Sequence, residues 1–140
     1  MSSITLAVVG KLRKTYWRDA EAEYKKRLTR YCDYRVVECK SEVEQTNALR
    51  DCFVIALDER GETLSSSEFA EMIRLLRDDG KHIGIAIGGA DGFSDEFRAQ
   101  ASKKLAFGKM TVPHQLARVM IAEQVYRAFR IIRGEPYHKK

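Results

Sequence analysis

The hydrophobic positions of this chain fall into short apolar runs that are separated by longer amphipathic stretches. The apolar runs predict five β-strands, and two of them, 53–58 and 83–88, are apolar almost throughout. Uninterrupted apolar strands are typical of the centre of a parallel sheet that is covered on both faces. The other three strand candidates are 3–9, 34–39 and 109–112.

The stretches between these strands have the three- and four-residue spacing of amphipathic helices. This spacing predicts helices over 15–32, 67–78 and 114–133. Strands and helices alternate along the chain, and no linker or repeat interrupts them. The pattern predicts a single α/β domain over residues 1–140, with a mostly parallel sheet and helices on both faces.

Three serines mark predicted helix starts. Ser41 and Ser65 are each followed by a glutamate three positions later, which is the spacing of a capping box. Ser94 is followed by two acidic residues, and negative charge is favourable at the positive end of a helix.

The net charge and its distribution indicate the class of molecule that the protein binds. The net charge is +5, and lysine and arginine are concentrated in two regions, with eight in 11–30 and six in 118–140. This distribution favours an anionic partner, with RNA, DNA or a nucleotide ahead of a membrane. A solvated basic surface is the plain alternative.

No apolar run approaches the roughly 20 residues that a membrane span requires. The three cysteines, Cys32, Cys39 and Cys52, are odd in number and lack a CxxC spacing. We therefore expect neither a disulfide framework nor a metal site, and we expect a cytoplasmic location.

Glycines follow the most apolar strand, in the segment Gly88-Gly89-Ala90-Asp91-Gly92. Ligands of open α/β sheets bind beyond the carboxyl ends of the strands, where bare backbone can approach them. Leu57-Asp58 and 108–113 end two other predicted strands, so neighbouring strands would form one crevice suited to an adenosine-bearing cofactor. The spacing is neither GxGxxG nor a P-loop, and a tight turn explains these glycines equally well.

The last predicted helix and the residues after it carry further polar groups. Glu123 and Arg127 have the spacing of a helical ion pair, which is usually a surface pair. Tyr137, His138 and Lys139 place a ring, an imidazole and an ammonium group near the chain end, where they can stack on bases, move protons or bind phosphate. A solvated, frayed tail is the alternative, and we expect the tail to order only when RNA binds.

Five segments, taken in order, carry a resemblance to a known family. They are Leu57-Asp58, 87–92 (IGGADG), 110–119 (MTVPHQLARV), 122–128 (AEQVYRA) and 136–139 (PYHK). Over nearly its whole length the chain resembles the SPOUT class of S-adenosylmethionine-dependent methyltransferases. Within that class it is similar to the family that methylates N3 of a pseudouridine in large-subunit ribosomal RNA.

This resemblance implies properties that periodicity and spacing do not show. It implies a trefoil knot near the C-terminus, although knots are nearly absent from protein folds. It also implies a homodimer in which cofactor and substrate meet at the interface, S-adenosylmethionine as the cofactor and no metal. A single domain this small offers little surface to select one base in a large RNA, which favours the assembled ribosome as the substrate, although the sequence leaves the free subunit open.

The resemblance also implies roles for individual residues. The catalytic residues would be Arg127, Tyr137 and His138, and the sequence leaves open whether His138 is a general base or positions the substrate. The residues that bind the cofactor would be Leu57, Gly89, Gly108, Lys109, Met110, Thr111, Val112 and Pro113.

Basic residues near the crevice and the chain end are the candidates for RNA binding. They are Lys11, Arg13, Lys14, Arg118 and Lys139.

The alternative function is a non-catalytic, basic ribosome-binding module. A flavodoxin-like nucleotide binder fits less well, because the chain lacks a phosphate loop rich in serine and threonine. Two features depart from the family pattern: 40–52 is a short connection, and Ala90 stands where some members have proline.

Overall fold

A parallel sheet forms the centre of the molecule. The computed structural model describes residues 3–139. Its strands are β1 (Ser3–Val9), β2 (Asp33–Cys39), β3 (Phe53–Thr63), β4 (Ile83–Ile87) and β5 (Lys103–Ala106). The strand order is β2-β1-β4-β3-β5, and every neighbouring pair is parallel. The predicted parallel α/β architecture is confirmed.

Five helices cover the two faces of this sheet. They are α1 (Thr15–Leu28), α2 (Glu42–Ala48), α3 (Ser66–Asp78), α4 (Asp95–Gln100) and α5 (His114–Ile132). β1 shows how the faces divide: Leu6 and Val8 lie in the larger core with α1, α3 and α5, whereas Ala7 lies in the smaller core near α2 and α4. None of the helices described here is both long and apolar enough to cross a membrane.

The predicted helix starts are confirmed by their hydrogen bonds. The side chain of Ser65 accepts a bond from the backbone N–H of Glu68, whose carboxylate accepts one in return from Ser65. Ser41 and Ser94 cap α2 and α4 in the same way, without the return bond. These helix starts could be predicted from the sequence because the capping residue and its partner are only three residues apart.

The prediction of a strand over 109–112 was wrong. That segment is a loop, with Met110 86% exposed, and the fifth strand is instead Lys103–Ala106. β3 also runs beyond its predicted end, with a register shift against β5 between Leu57 and Glu62. At this irregularity a Cβ on Gly61 would lie 2.6 Å from the backbone nitrogen of Leu105, so only glycine fits there. The knot stays a prediction from the resemblance.

Candidate functional site

A cavity of about 470 Å³ opens at the carboxyl ends of β3, β4 and β5. Because these three strands are neighbours in the sheet, residues 57–60 within β3, 87–93 at the end of β4 and 105–113 at the end of β5 meet around it. The predicted convergence of these strand ends is confirmed. The volume lies in the range of small-molecule sites, which is about 300–1,000 Å³.

The glycine segment makes a tight turn at the cavity wall. The N–H of Gly92 donates to the carbonyl of Gly89 at 2.9 Å, and Gly92 has a φ of +74°. A Cβ on Gly88 would lie 3.0 Å from the backbone of Gly92, and one on Gly89 would lie 3.2 Å from the side chain of Val9. The glycines therefore serve the turn and also leave bare backbone along the cavity.

The segment after β5 forms the opposite wall. The hydroxyl of Thr111 donates to the Glu59 carboxylate at 2.9 Å, which ties this loop to β3. A Cβ on Gly108 would meet no atom within 4 Å, so this position faces open space. Of the predicted cofactor-binding residues, only Lys109 does not line the cavity; those that do are Leu57, Gly89, Gly108, Met110, Thr111, Val112 and Pro113.

An ion pair that sequence reasoning missed lies in the cavity wall. The carboxylate of Asp58 accepts a bond from Arg98 Nε at 2.6 Å and one from the backbone N–H of Arg60 at 3.1 Å. Burial raises the pKa of Asp58, but these two bonds lower it more, so the net pKa lies below the ordinary value. The pair fixes α4 to the end of β3, and no short-range spacing in the sequence indicates it.

The predicted catalytic residues form one connected cluster. Arg127 pairs with Glu123 at 2.8 Å, its guanidinium lies 4.8 Å from the ring centroid of Tyr137, and its Nη1 lies 3.1 Å from Nδ1 of His138. The hydroxyl of Tyr137 donates to the same Glu123 carboxylate at 2.8 Å. The structure thus brings Arg127, Tyr137 and His138 together around Glu123, which the sequence had suggested only as a surface ion-pair partner.

The tail packs against the body of the protein. Tyr137 contacts the ring of Tyr126 edge-on at 4.9 Å, and Arg130 donates to the carbonyl of Pro136 at 3.0 Å. Burial and the bond to Glu123 raise the pKa of Tyr137 to about 12, so the phenol stays protonated at neutral pH. Contacts within the chain therefore hold 136–139, and ordering of the tail on RNA binding stays a prediction; Lys140 lies outside the described residues.

The tail cluster, formed by Glu123, Arg127, Tyr137 and His138, lies further along α5 than the cavity. Ala117 lines the cavity near the start of the helix, and Arg127 is ten residues further along it. At a rise of about 1.5 Å per residue, this separation is about 15 Å. Arg127 and the cavity therefore lie at different positions along α5 within one chain.

The predicted RNA-binding residues divide into surface and interior groups. Lys11, Arg13 and Lys14 are exposed in the loop between β1 and α1, and Lys139 is exposed in the tail. The N–H of Arg13 donates to the side chain of Gln115 at 3.1 Å, which places this loop beside the start of α5 and near the cavity.

Arg118 does not belong to this surface, and its prediction as an RNA contact is corrected. Its side chain is 4% exposed and pairs with Glu21 at 2.6 Å and with Glu38 at 2.8 Å. Burial lowers the pKa of the guanidinium, but the bonds to both carboxylates raise it more, so the net pKa is raised. With its charge neutralised in the interior, Arg118 joins α1, β2 and α5.

Comparisons with known proteins agree with this architecture. A family model described as "Predicted SPOUT methyltransferase" matches residues 2–138. A Ribosomal RNA large subunit methyltransferase H from Clostridium beijerinckii is 46% identical over 98% of this chain and 99% of its own. The protein of that name from Clostridium acetobutylicum is 44% identical with the same coverage.

Solved structures are similar in fold at low sequence identity. A probable methylase family protein from Haemophilus influenzae aligns with a TM-score of 0.63 and 16% identity, over 98% of this chain and 70% of its own. A TrmH/SpoU tRNA modifying enzyme from A. aeolicus aligns with a TM-score of 0.51 and 14% identity, over 99% and 82%.

Proposed function

Because this chain belongs to the SPOUT methyltransferase family, we propose that it methylates N3 of a pseudouridine in large-subunit ribosomal RNA. The methyl donor is S-adenosylmethionine, and the substrate is the assembled ribosome in the cytoplasm. Relatives named as large-subunit ribosomal RNA methyltransferases, 40–46% identical over nearly the whole chain, support this proposal.

The observation that carries the proposal is the cavity at the strand ends. Its walls combine apolar side chains, such as Leu57 and Val112, with bare backbone at Gly89 and Gly108. Apolar surface suits the faces of an adenine ring, and backbone N–H and C=O groups suit its polar edges. A purely RNA-binding module has no need of such a cavity, which favours the enzyme over the non-catalytic alternative.

Leu57, Gly89 and the loop 108–113 would hold the cofactor. When bound, S-adenosylmethionine supplies an electrophilic methyl group on a positively charged sulfur. The cavity walls orient that group towards the acceptor, and such alignment is a large part of catalysis in two-substrate reactions.

A second copy of the chain completes the site. Leu116 and Met120 are half-buried on α5 and share a face with Glu123 and Arg127, since these positions follow each other at steps of four, three and four. Two-fold pairing is the commonest way to cover such a face. An antiparallel pairing of two α5 helices brings the tail cluster of one copy to the cavity of the other.

The contact between Arg127 and His138 defines how the imidazole acts. Arginine can only donate hydrogen bonds, so Nδ1 of His138 is the acceptor in the 3.1 Å contact. A neutral imidazole that accepts at Nδ1 carries its proton on Nε2. His138 therefore donates from Nε2 to a carbonyl oxygen of the target base, and it positions the base rather than removing its proton.

The remaining steps follow from this assignment. Methyl transfer replaces the N3–H bond of the base with an N3–C bond, and the proton of N3 leaves to water. Arg127 holds the imidazole in its tautomer, and Glu123 holds Arg127 and Tyr137 in place.

The test is methyl transfer to ribosomes from a strain that lacks this protein. With labelled S-adenosylmethionine, we expect one methyl group per ribosome, recovered by mass spectrometry as a base-methylated pseudouridine. Ribosomes from the parent strain are the control and should accept none. Ribosome binding without methyl transfer would instead support the non-catalytic module.

A further inference from the structure

Five aromatic rings form a continuous cluster where the C-terminal ends of α1 and α5 meet the tail. Tyr31 stacks on Phe129 with ring centroids 5.5 Å apart. Tyr24 and Tyr31 both contact Tyr126, at 6.3 and 6.1 Å. Tyr137 joins the cluster through its edge contact with Tyr126.

Arginines surround this cluster. Besides Arg127 of the tail cluster, five of them have the guanidinium carbon 4.8 to 5.7 Å from the nearest of these ring centroids. We call them the arginine platform: Arg27, Arg30, Arg77, Arg130 and Arg133. Each lies against a ring of one connected cluster; Arg27, Arg30 and Arg133 are exposed, and Arg77 and Arg130 are half-buried.

The platform carries a net positive charge. Arg27 pairs with Glu23 at 2.8 Å, and Arg30 lies 3.7 Å from Glu135. Arg130 and Arg133 form no ion pair with any carboxylate in the described part of the chain, and Arg133 is exposed. The Glu135 carboxylate also interacts electrostatically with Arg130 and Arg133, so one carboxylate is shared among three arginines of the platform and a net positive charge remains.

We propose that the arginine platform binds the phosphate backbone of ribosomal RNA, as a second contact surface distinct from the loop with Lys11, Arg13 and Lys14. This inference rests on the proposed function, which makes ribosomal RNA the polyanion that the protein meets. The planar guanidinium, with five N–H donors, matches phosphate geometry better than an ammonium group does. The rings beneath the arginines limit their motion, so less conformational entropy is lost when phosphate binds.

The position of the platform fits this role. Tyr137 belongs both to the aromatic cluster and to the tail cluster with Arg127 and His138. RNA held on the platform would therefore pass directly beside the groups that position the target base.

A second copy of the chain fits this surface less well. A two-fold contact through the platform would place arginines against arginines, and like charges across an interface are costly. The phosphate backbone has the complementary charge.

The experiment compares two double variants that lose equal charge. Arg30→Gln/Arg133→Gln changes two exposed arginines that share the Tyr31 ring. The matched control, Arg35→Gln/Arg50→Gln, changes two exposed arginines on β2 and after α2, away from the platform. Binding to purified assembled ribosomes is measured between about 50 and 200 mM salt.

Each lost phosphate contact lowers the slope of log affinity against log salt concentration by about 0.7–0.9. We expect the platform variant to lose roughly 1.5 from this slope and the control to keep the wild-type slope. The variant Arg30→Lys/Arg133→Lys keeps the charge and should recover most of the slope. If the glutamine double variant does not fold, Arg133→Gln alone should still lose roughly 0.8.

Equal slopes in platform and control variants would overturn the inference. A change in the sedimentation mass of the platform variant would also overturn it, because the platform would then be an interface between copies. Platform-dependent binding by a protein that transfers no methyl group would leave the inference intact and reject the proposed function.

Discussion

Arg127 donates a hydrogen bond from Nη1 to Nδ1 of His138 at 3.1 Å, which leaves the imidazole proton on Nε2. From this contact we predict that His138→Gln keeps methyl transfer within about tenfold of the wild type, because the glutamine amide nitrogen can donate in place of Nε2. His138→Ala should lose more and should weaken RNA binding and rate together. Single-turnover kinetics on ribosomes, with separate measurement of binding, checks both.

If His138 were instead a general base, its substitution would affect the kinetics differently. Both His138 variants would then lose about 10²–10⁴ in the rate of methyl transfer with RNA binding intact. His82→Gln is the control, because His82 is exposed just before β4, at the opposite end of that strand from the cavity. It should leave rate and binding unchanged.

Gly108 offers the cleanest steric block of the cavity. Its Cβ would meet nothing within 4 Å, and its φ is not in the left-handed region, so Gly108→Val should fold normally. The added side chain should weaken S-adenosylmethionine binding by about 1–3 kcal/mol, or roughly 5- to 150-fold. Gly108→Ala should have a smaller effect, and calorimetry measures both.

Gly89 is less suitable for this test, although the sequence suggests it first. A side chain there would press on Val9 of β1 before reaching the cavity. Unchanged cofactor affinity in Gly108→Val would remove the 108–113 loop from the cofactor site.

The sequence predicted the features that depend on nearby residues. The caps at Ser41, Ser65 and Ser94 act over three positions, and the predicted strands 53–58 and 83–88 are apolar almost throughout. Both features can therefore be recognised in a short stretch of sequence. β5 was missed because it is only four residues long and begins with Lys103 and Lys104. Its burial comes from its place beside β3.

Contacts between residues that are far apart along the chain could not be predicted from the sequence. Arg118 pairs with Glu21 and Glu38, which are 97 and 80 positions away along the chain. An arginine in a basic region therefore looked like an RNA contact. The pairing of Asp58 with Arg98, 40 positions apart, was hidden for the same reason.

The corrected role of Arg118 predicts a loss of stability. Arg118→Met should lower the free energy of unfolding by about 3–5 kcal/mol, because it leaves the buried Glu21 carboxylate without a partner. The double variant Arg118→Met/Glu21→Leu should recover part of this loss, since both charges are then removed. Urea unfolding provides the free energies. A steep drop in the salt dependence of ribosome binding, with unchanged stability, would restore Arg118 as an RNA contact.

Alkaline pH should destabilise the fold. Burial raises the pKa of the Cys32 thiol from 9.0 to about 12, and burial and the bond to Glu123 raise that of Tyr137 from 10.0 to about 12. Both groups bind protons more tightly in the folded state, so their contribution to stability is complete below about pH 9 and is lost as pH rises towards 12. In Tyr137→Phe, the free energy of unfolding should fall less steeply with pH above about pH 10. Urea unfolding at several pH values measures this. An identical pH profile in the variant would exclude Tyr137 as its source.

Complementation between two inactive variants tests whether the site is shared between copies. One variant, Gly108→Val, has a blocked cavity and an intact tail; the other lacks residues 136–140 and has an intact cavity. If the tail of one copy serves the cavity of the other, each homodimer is inactive at an S-adenosylmethionine concentration between the dissociation constants of the wild type and of Gly108→Val, but a heterodimer has one complete site. We therefore expect co-expressed, co-purified heterodimers to reach about half the wild-type rate of methyl transfer.

Circular dichroism must show that the truncated chain is folded, because Tyr137 contacts Tyr126 in the core. Inactive heterodimers, or a wild-type protein that sediments as a monomer at micromolar concentration, would contradict the shared site.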